Sequence, residues 1–94
     1  MFEITKTADG TIELDGRFDA SQEDAARAVL DEISSSVVVD FGALKYISSA
    51  GLGILLRVQK RLMGQGDSMS IVNLSPHIRE IFEMAGFDRI FKLD

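Results

Sequence analysis

"SVVVDFGALKYISSAGLGILL", residues 36–56, decides how the whole chain is read. Its opening "SVVVDF" is a short, unbroken β-branched run, a pattern that suits a central strand covered on both faces. The "SSAG" segment at 48–51 then opens a helix, with Leu52, Leu55, Leu56, Val58 and Leu62 as its apolar positions and Gly64 or Gly66 placed to end it. Between the two lie Ser48 and Ser49. Serine at a helix start is ordinarily a cap. The question is whether one of these hydroxyls also carries chemistry.

Upstream, "FEITK" and "TIELDG" flank "ADG". Asp9-Gly10 can supply the positive φ angles of a tight type I′ hairpin turn, and Phe2, Ile4, Ile12 and Leu14 alternate with polar residues as half-buried strands do. "SQEDAARAVLDEIS" follows, with Ser21 as N-cap, Asp24 three residues on, and Ala25, Ala26, Val29, Leu30 and Ile33 as the buried stripe. Downstream, "SMSIVNL" reads as a strand. Ser75 caps a third helix that has Pro76 at its first position, Ile78, Ile81, Phe82 and Ala85 as its apolar stripe, and Gly86 as its stop. "RIFKL" is a short final strand or an extended tail. The order β-β-α-β-α-β-α-(β) predicts an α/β fold: one small mixed sheet, begun by a hairpin and continued by β-α alternation, with helices packed on it.

Ninety-four residues, 46% hydrophobic and 27% charged, make one soluble domain spanning residues 1–94, with no room for a second core. No cysteine is present, so neither a disulfide framework nor a thiolate metal site can form. The N-terminus lacks the basic and apolar regions of a secretion signal, and no apolar run approaches the ~20 residues needed to span a bilayer. A cytoplasmic protein without direct membrane insertion is expected. The net charge of −5 disfavours nucleic acid and anionic lipid as partners. That charge is uneven: residues 1–47 hold four basic and ten acidic side chains, residues 48–94 six and five. The acidic half suits a basic partner.

Ordinary catalysis finds little support. His77 is the only histidine, so metal binding has no ligand set, and no G-x-S-x-G elbow accompanies a Ser–His–acid triad. The glycines of "GLG" lie in a helix opening rather than a G-x-G-x-x-G turn, and no P-loop lysine follows. Glu23-Asp24 and Asp31-Glu32 point to different sides of a helix and are not acid–base pairs. Arg57, Lys60 and Arg61 share one helical face, which is either solvated or a docking patch. Neither an enzyme nor a cofactor protein is indicated.

The serines remain. A helix N-terminus exposes unpaired N–H groups and the positive end of the macrodipole, so a phosphate there would be cradled by amides near Gly51 and Leu52. Gly51 has no side chain to block it, and Ala50 leaves room for a serine to enter another protein's active site. Plain capping remains open beside this phosphoacceptor reading.

Three blocks now carry a resemblance: "LDGRFDA" at 14–20, "VVVDFGALKYISSAGLGILL" at 37–56 and "IVNLSPHIREIFEMAGFDRIFKL" at 71–93. In this order and spacing the chain resembles the STAS domain family, whose fold is a small mixed sheet with helices largely on one face. Stand-alone members of this size are similar to anti-sigma factor antagonists. The resemblance implies a ligand and substrate rather than an enzyme. The unphosphorylated form binds an anti-sigma factor that is also a serine kinase, phosphorylation at the start of the second helix releases it, and a serine phosphatase resets the switch. The family motif D-S-[ST]-G-L-G stands here as "SSAGLG": Ser48 replaces the acid, Ser49 matches the first hydroxyl and Ala50 replaces the second. The implied phosphoacceptor is Ser49, with Ser48 second. Asp19 matches the aspartate of the family's G-[RKE]-[LFI]-D motif and is implied to contact the partner; read from the residues alone it is equally a turn or cap residue. Glu23, Ser48, Ala50, Gly51 and Leu52 complete the implied contact set, and Asp40 is a weaker candidate for the same neighbourhood. Nothing demands more than a monomer. The alternative within the resemblance is a free-standing STAS subunit docking on the ATPase of a bacterial lipid-transport ABC system.

Overall fold

The computed structural model describes Met1–Asp94. Strands β1 (Phe2–Lys6), β2 (Ile12–Phe18), β3 (Val37–Ile47), β4 (Met69–Val72) and β5 (Lys92–Leu93) form one sheet in sequential order. β1 and β2 are antiparallel and every later pairing is parallel. Helices α1 (Glu23–Leu30), α2 (Ser49–Met63) and α3 (Pro76–Met84) supply the crossovers. This is the mixed, hairpin-led α/β fold that the sequence pattern predicts.

The strand expected to be covered on both faces is covered on one. β3 buries Val39, Phe41, Leu44 and Ile47, while Val38 and Tyr46 are exposed, as are Glu13 and Asp15 on the neighbouring β2. It also runs six residues beyond "SVVVDF", because all of β2 is available to pair with it. Two register shifts in that pairing fall between Glu13 and Asp15 and between Gly16 and Arg17. They explain why the inward residues of β3 switch from spacing two to spacing three. Gly16 is required at the second shift: its φ is +91°, and a Cβ there would lie 1.9 Å from the Met1 carbonyl oxygen.

The hairpin turn also differs from its expected form. Asp9 does not take a positive φ; Gly10 alone does, at +91°. Gly10 N–H donates to the Thr7 carbonyl at 3.0 Å and Thr7 N–H to the Thr11 carbonyl at 2.8 Å, giving a three-residue loop that ends in a left-handed glycine. The Asp9 carboxylate accepts from Thr11 N–H at 3.0 Å and from the Thr7 hydroxyl, so its side chain shapes the loop.

The helices cover one face and bury Ala26, Leu30, Ile54, Leu55, Val58, Leu62, Ile78 and Phe82. Ala25 and Ala85, expected in the apolar stripes, are exposed. α1 is only eight residues long and turns Ala26 and Leu30 inward, and Ala85 falls on the C-cap of α3. Gly86 then takes a left-handed φ of 77° as α3 stops. Phe82 packs edge-on against Phe41, Phe87 and Phe91, fastening the C-terminal segment to the core. Gln59 is the buried polar residue on α2, and it is fully used: it accepts from Met69 N–H at 2.6 Å and donates to the Ile90 carbonyl at 2.6 Å.

Candidate functional site

β2 and β3 end side by side, Phe18 paired with Ile47. The chain leaves β2 through Asp19 and leaves β3 through Ser48. Ser48 N–H donates to the Phe18 carbonyl at 2.9 Å, which carries the pairing one residue further and sets the start of α2 beside the Asp19 turn. Gly51 lets α2 come this close. A Cβ on it would sit 3.0 Å from both the Phe18 carbonyl oxygen and the Ile47 side chain. Gly51 is buried, so its smallness serves the approach of helix to strands, not that of a phosphate. This corrects the role expected for it.

Ser48 is the N-cap, its hydroxyl accepting from Gly51 N–H at 3.2 Å. Leu52 N–H is taken by the Ser48 carbonyl at 2.9 Å. The amides of Gly51 and Leu52, expected to cradle a phosphate, are therefore engaged. The first-turn amides left without a partner in the chain are those of Ser49 and Ala50. Ser49 is the first helical residue and is exposed; Ala50 is exposed, and Ser48 and Leu52 are half-buried.

Asp19 caps a short 3-10 turn, Ala20–Gln22, that leads into α1. Ser21, expected as the N-cap, lies inside that turn, because Asp19 reaches the first free amide before it can: the Asp19 carboxylate accepts from Ser21 N–H at 2.9 Å and from the Ser21 hydroxyl at 2.6 Å. These two bonds, the hydroxyl first, hold the Asp19 carboxyl below the ordinary carboxylate range, with the Arg17 charge as a smaller cause. Glu23 opens α1 and is ion-paired with Arg27 at 3.2 Å, so it is partly committed within its own helix.

The remaining candidates fall elsewhere. Asp40 lies seven residues before the end of β3, on the order of 20 Å from Ser48 at strand rise. Its carboxylate accepts from Gly42 N–H at 2.7 Å and Asn73 Nδ2 at 3.1 Å, so it shapes the sheet and is not part of the tip. Arg61 is withdrawn from the basic trio: it donates to the Ile33 and Leu30 carbonyls at 2.7 and 3.0 Å and closes the C-terminal end of α1. His77 is exposed in the first turn of α3. Two features escape a reading of the sequence. One is the bonding of Ser21 and Gln22 to Asp19. The other is the Arg17 guanidinium stacked 4.2 Å over the Tyr46 ring on the open face. Asp-x-Ser-Gln is a local signal for the first; the second needs the strand register.

A family model described as "Mlab, STAS domain" matches residues 2–93. The chain belongs to the STAS domain family. Among relatives of this STAS domain is BtrV of Bordetella bronchiseptica, whose name carries the description anti-sigma factor antagonist. It is 45% identical over 64 residues, which are 68% of this chain and 55% of BtrV. The chain thus spans about half the length of that relative. The "STAS-domain containing protein PA14_20770" of Pseudomonas aeruginosa is 31% identical over 93% of this chain and 92% of its own. In fold the chain is similar to the anti-sigma factor antagonist SpoIIAA, a protein whose structure is known in two forms. The unphosphorylated form has TM-score 0.67 at 20% identity and covers 96% of this chain and 97% of its own. The phosphorylated form has TM-score 0.70 at 19% identity and covers 100% and 91%.

Proposed function

We propose that this STAS domain is an anti-sigma factor antagonist-like switch in which Ser49 is the phosphoacceptor. In the unphosphorylated state the tip formed by Asp19, Ser48, Ser49 and Ala50 docks on a partner that is both anti-sigma factor and serine kinase. Leu52 and Gly51 shape the helix start behind it, and Glu23 stands at its rim. The observation that carries this reading is the division of labour between neighbouring hydroxyls. Ser48 Oγ is spent on the cap, whereas Ser49 stands exposed one residue into the helix.

The chain supplies an acceptor and no catalytic machinery of its own. Ser49 Oγ attacks the γ-phosphorus of ATP held by the kinase, ADP leaves, and the hydroxyl proton passes to the kinase's base. The phosphate then carries nearly two negative charges. It meets the free N–H groups of Ser49 and Ala50 at the positive end of a fifteen-residue helix, which stabilise it. It also stands near the turn of Asp19, a residue of the acidic half of the chain. A dianion ~6 Å from a carboxylate changes affinity roughly tenfold even in water. With desolvation of the partner surface added, release by a hundredfold or more needs no change of fold. A serine phosphatase completes the cycle by hydrolysing the ester. The switch so proposed acts as one domain, residues 1–94, in the cytoplasm, where a kinase has ATP to draw on.

The test is capture of partners on the immobilised domain with and without ATP and Mg²⁺, reading partner identity and phosphoserine together. The expected result is a kinase retained without ATP and shed with it as phosphoserine appears. A partner retained equally in both conditions, with no phosphoserine formed, contradicts the switch. If that partner is a transporter ATPase, the same tip is a constant docking surface.

A further inference from the structure

The side chains at the β2 exit close a ring of hydrogen bonds. Asp19 N–H donates to Gln22 Oε1 at 2.8 Å; Gln22 Nε2 donates to Ser21 Oγ at 2.8 Å; Ser21 Oγ donates to Asp19 Oδ1 at 2.6 Å. Ser21 N–H adds a second bond to the same carboxylate oxygen at 2.9 Å. The cap alone would need only that last bond and the one to Gln22. The Ser21 hydroxyl does something further: it joins the two halves of the capping box and fixes the carboxylate's rotamer.

The ring is asymmetric. Oδ1 accepts two bonds, whereas Oδ2 accepts none within the chain. An ionised carboxylate has about four lone-pair sites, so the free oxygen keeps its full capacity for a donor from outside. With Oδ1 occupied, a bidentate guanidinium fork is disfavoured, and a single N–H donor or an ammonium is the matching chemistry.

We propose that Ser21 and Gln22 are positioning residues, which lock the Asp19 carboxylate beside the Ser49 helix tip so that its free oxygen receives one cationic group of the docking partner through a single-point bond. This rests on the reading of the tip as the partner's docking site. Freezing the carboxylate before encounter removes part of the ordering cost of binding. The partner's side of the contact is a lysine, or an arginine using one arm.

Two kinds of measurement test this on the full chain. The first needs no partner: carbon-13 titration of the Asp19 carboxyl and its χ1 couplings in the unaltered protein, Ser21→Ala, Ser21→Thr and Gln22→Ala. Ser21→Ala is expected to raise the Asp19 titration midpoint and average its χ1, and Ser21→Thr, which restores the hydroxyl, to return both. Gln22→Ala averages χ1 with the smaller change in midpoint. An Asp19 rotamer and midpoint unmoved by Ser21→Ala overturn the positioning role. The second uses the kinase obtained by ATP-sensitive capture: Ser21→Ala weakens its binding about three- to tenfold, the worth of one good hydrogen bond. Ser21→Thr recovers it, and Ser21→Ala adds no further loss once Asp19→Asn is present. Additive losses in that double variant overturn action through Asp19. Failure to capture any ATP-sensitive partner defeats the switch instead, and the partner-free titration still decides the ring.

Discussion

α2 and α3 begin in the same way and at different places. Each is capped by a half-buried serine, Ser48 or Ser75, whose hydroxyl accepts from the third helical N–H at 3.2 Å. The residues after the cap differ. α3 continues with Pro76, which lacks the N–H that would go unpaired, and with His77. α2 continues with Ser49 and Ala50, which leave two N–H groups and one hydroxyl facing outward. Their surroundings differ too, because α2 starts against the ends of β2 and β3, beside Asp19, with Gly51 in contact with Phe18 and Ile47. A serine cap is thus a common device for ending a strand and starting a helix. What makes one helix start a candidate switch is the second hydroxyl, the free amides and the Asp19 turn that the Ser48–Phe18 bond brings alongside.

That contrast can be broken first at the acceptor itself. Ser49→Asp is expected to weaken binding of the kinase a hundredfold or more, while Ser49→Ala keeps it, as titration calorimetry against the captured partner would read. Equal affinities for the two variants would remove charge from the mechanism. No substitution in the first turn of α3 should approach this effect.

The glycines of α2 sharpen the comparison next. Gly51→Ala places a methyl 3.0 Å from the Phe18 carbonyl oxygen and the Ile47 side chain, and should cost roughly 1–3 kcal/mol in urea unfolding. Gly53→Ala meets nothing within 4 Å and should stabilise by about 0.5–1 kcal/mol. If both substitutions stabilise, α2 does not need its close seat on the strand ends.

Removing the caps should show that they are equal. Ser48→Ala and Ser75→Ala each cost about 1 kcal/mol of stability, and neither abolishes phosphate incorporation at Ser49. Loss of incorporation in Ser48→Ala, with the fold intact by circular dichroism, would move the acceptor one residue back.

The smallest effect is in acid. Hydrogen bonds lower the folded titration of Asp9, chiefly through Thr7, of Asp19, chiefly through Ser21, and of Asp67, chiefly through Gln65. A carboxyl lowered in the folded state binds its proton more weakly than in the unfolded chain, so its contribution is complete above the unfolded value of about 4 and is lost as pH falls through the folded one. Stability should therefore be flat in this respect above about pH 5 and fall below about pH 4. Asp19→Asn should flatten part of that limb, whereas Ser75→Ala should lower the whole curve in parallel. A Ser75→Ala curve that changes slope in acid instead would separate the two helix starts less cleanly than their hydrogen bonds do.

Much of this was legible before any coordinates. Alternation in Ile12–Leu14 and the Ser75-Pro76 start rest on local periodicity and cap chemistry, and the structure keeps them. A serine cap on α2 was open between two neighbours, and the hydrogen bonds give it to Ser48. Where the reading failed, a nonlocal contact decided. Val37–Val39 look fully buried in sequence, yet only one face of the sheet receives helices, so Val38 is exposed. Gly51 reads as an opening for a ligand, and only the approach of Phe18 and Ile47 shows that it is a packing requirement. Asp40 shares a carboxylate's chemistry with Asp19 but sits near the far half of a strand whose length the β-branched run did not disclose. Ser21 has the sequence of a cap and lost that place to a residue two positions earlier.

In the proposed switch the hydroxyl at the first position of α2, and not the one that caps it, receives phosphate. Peptide mapping by mass spectrometry, after incubation of the full chain with the captured kinase and ATP, tests it directly. One phosphate is expected, on Ser49. Phosphate on Ser48, or on any residue away from the α2 start, would contradict it.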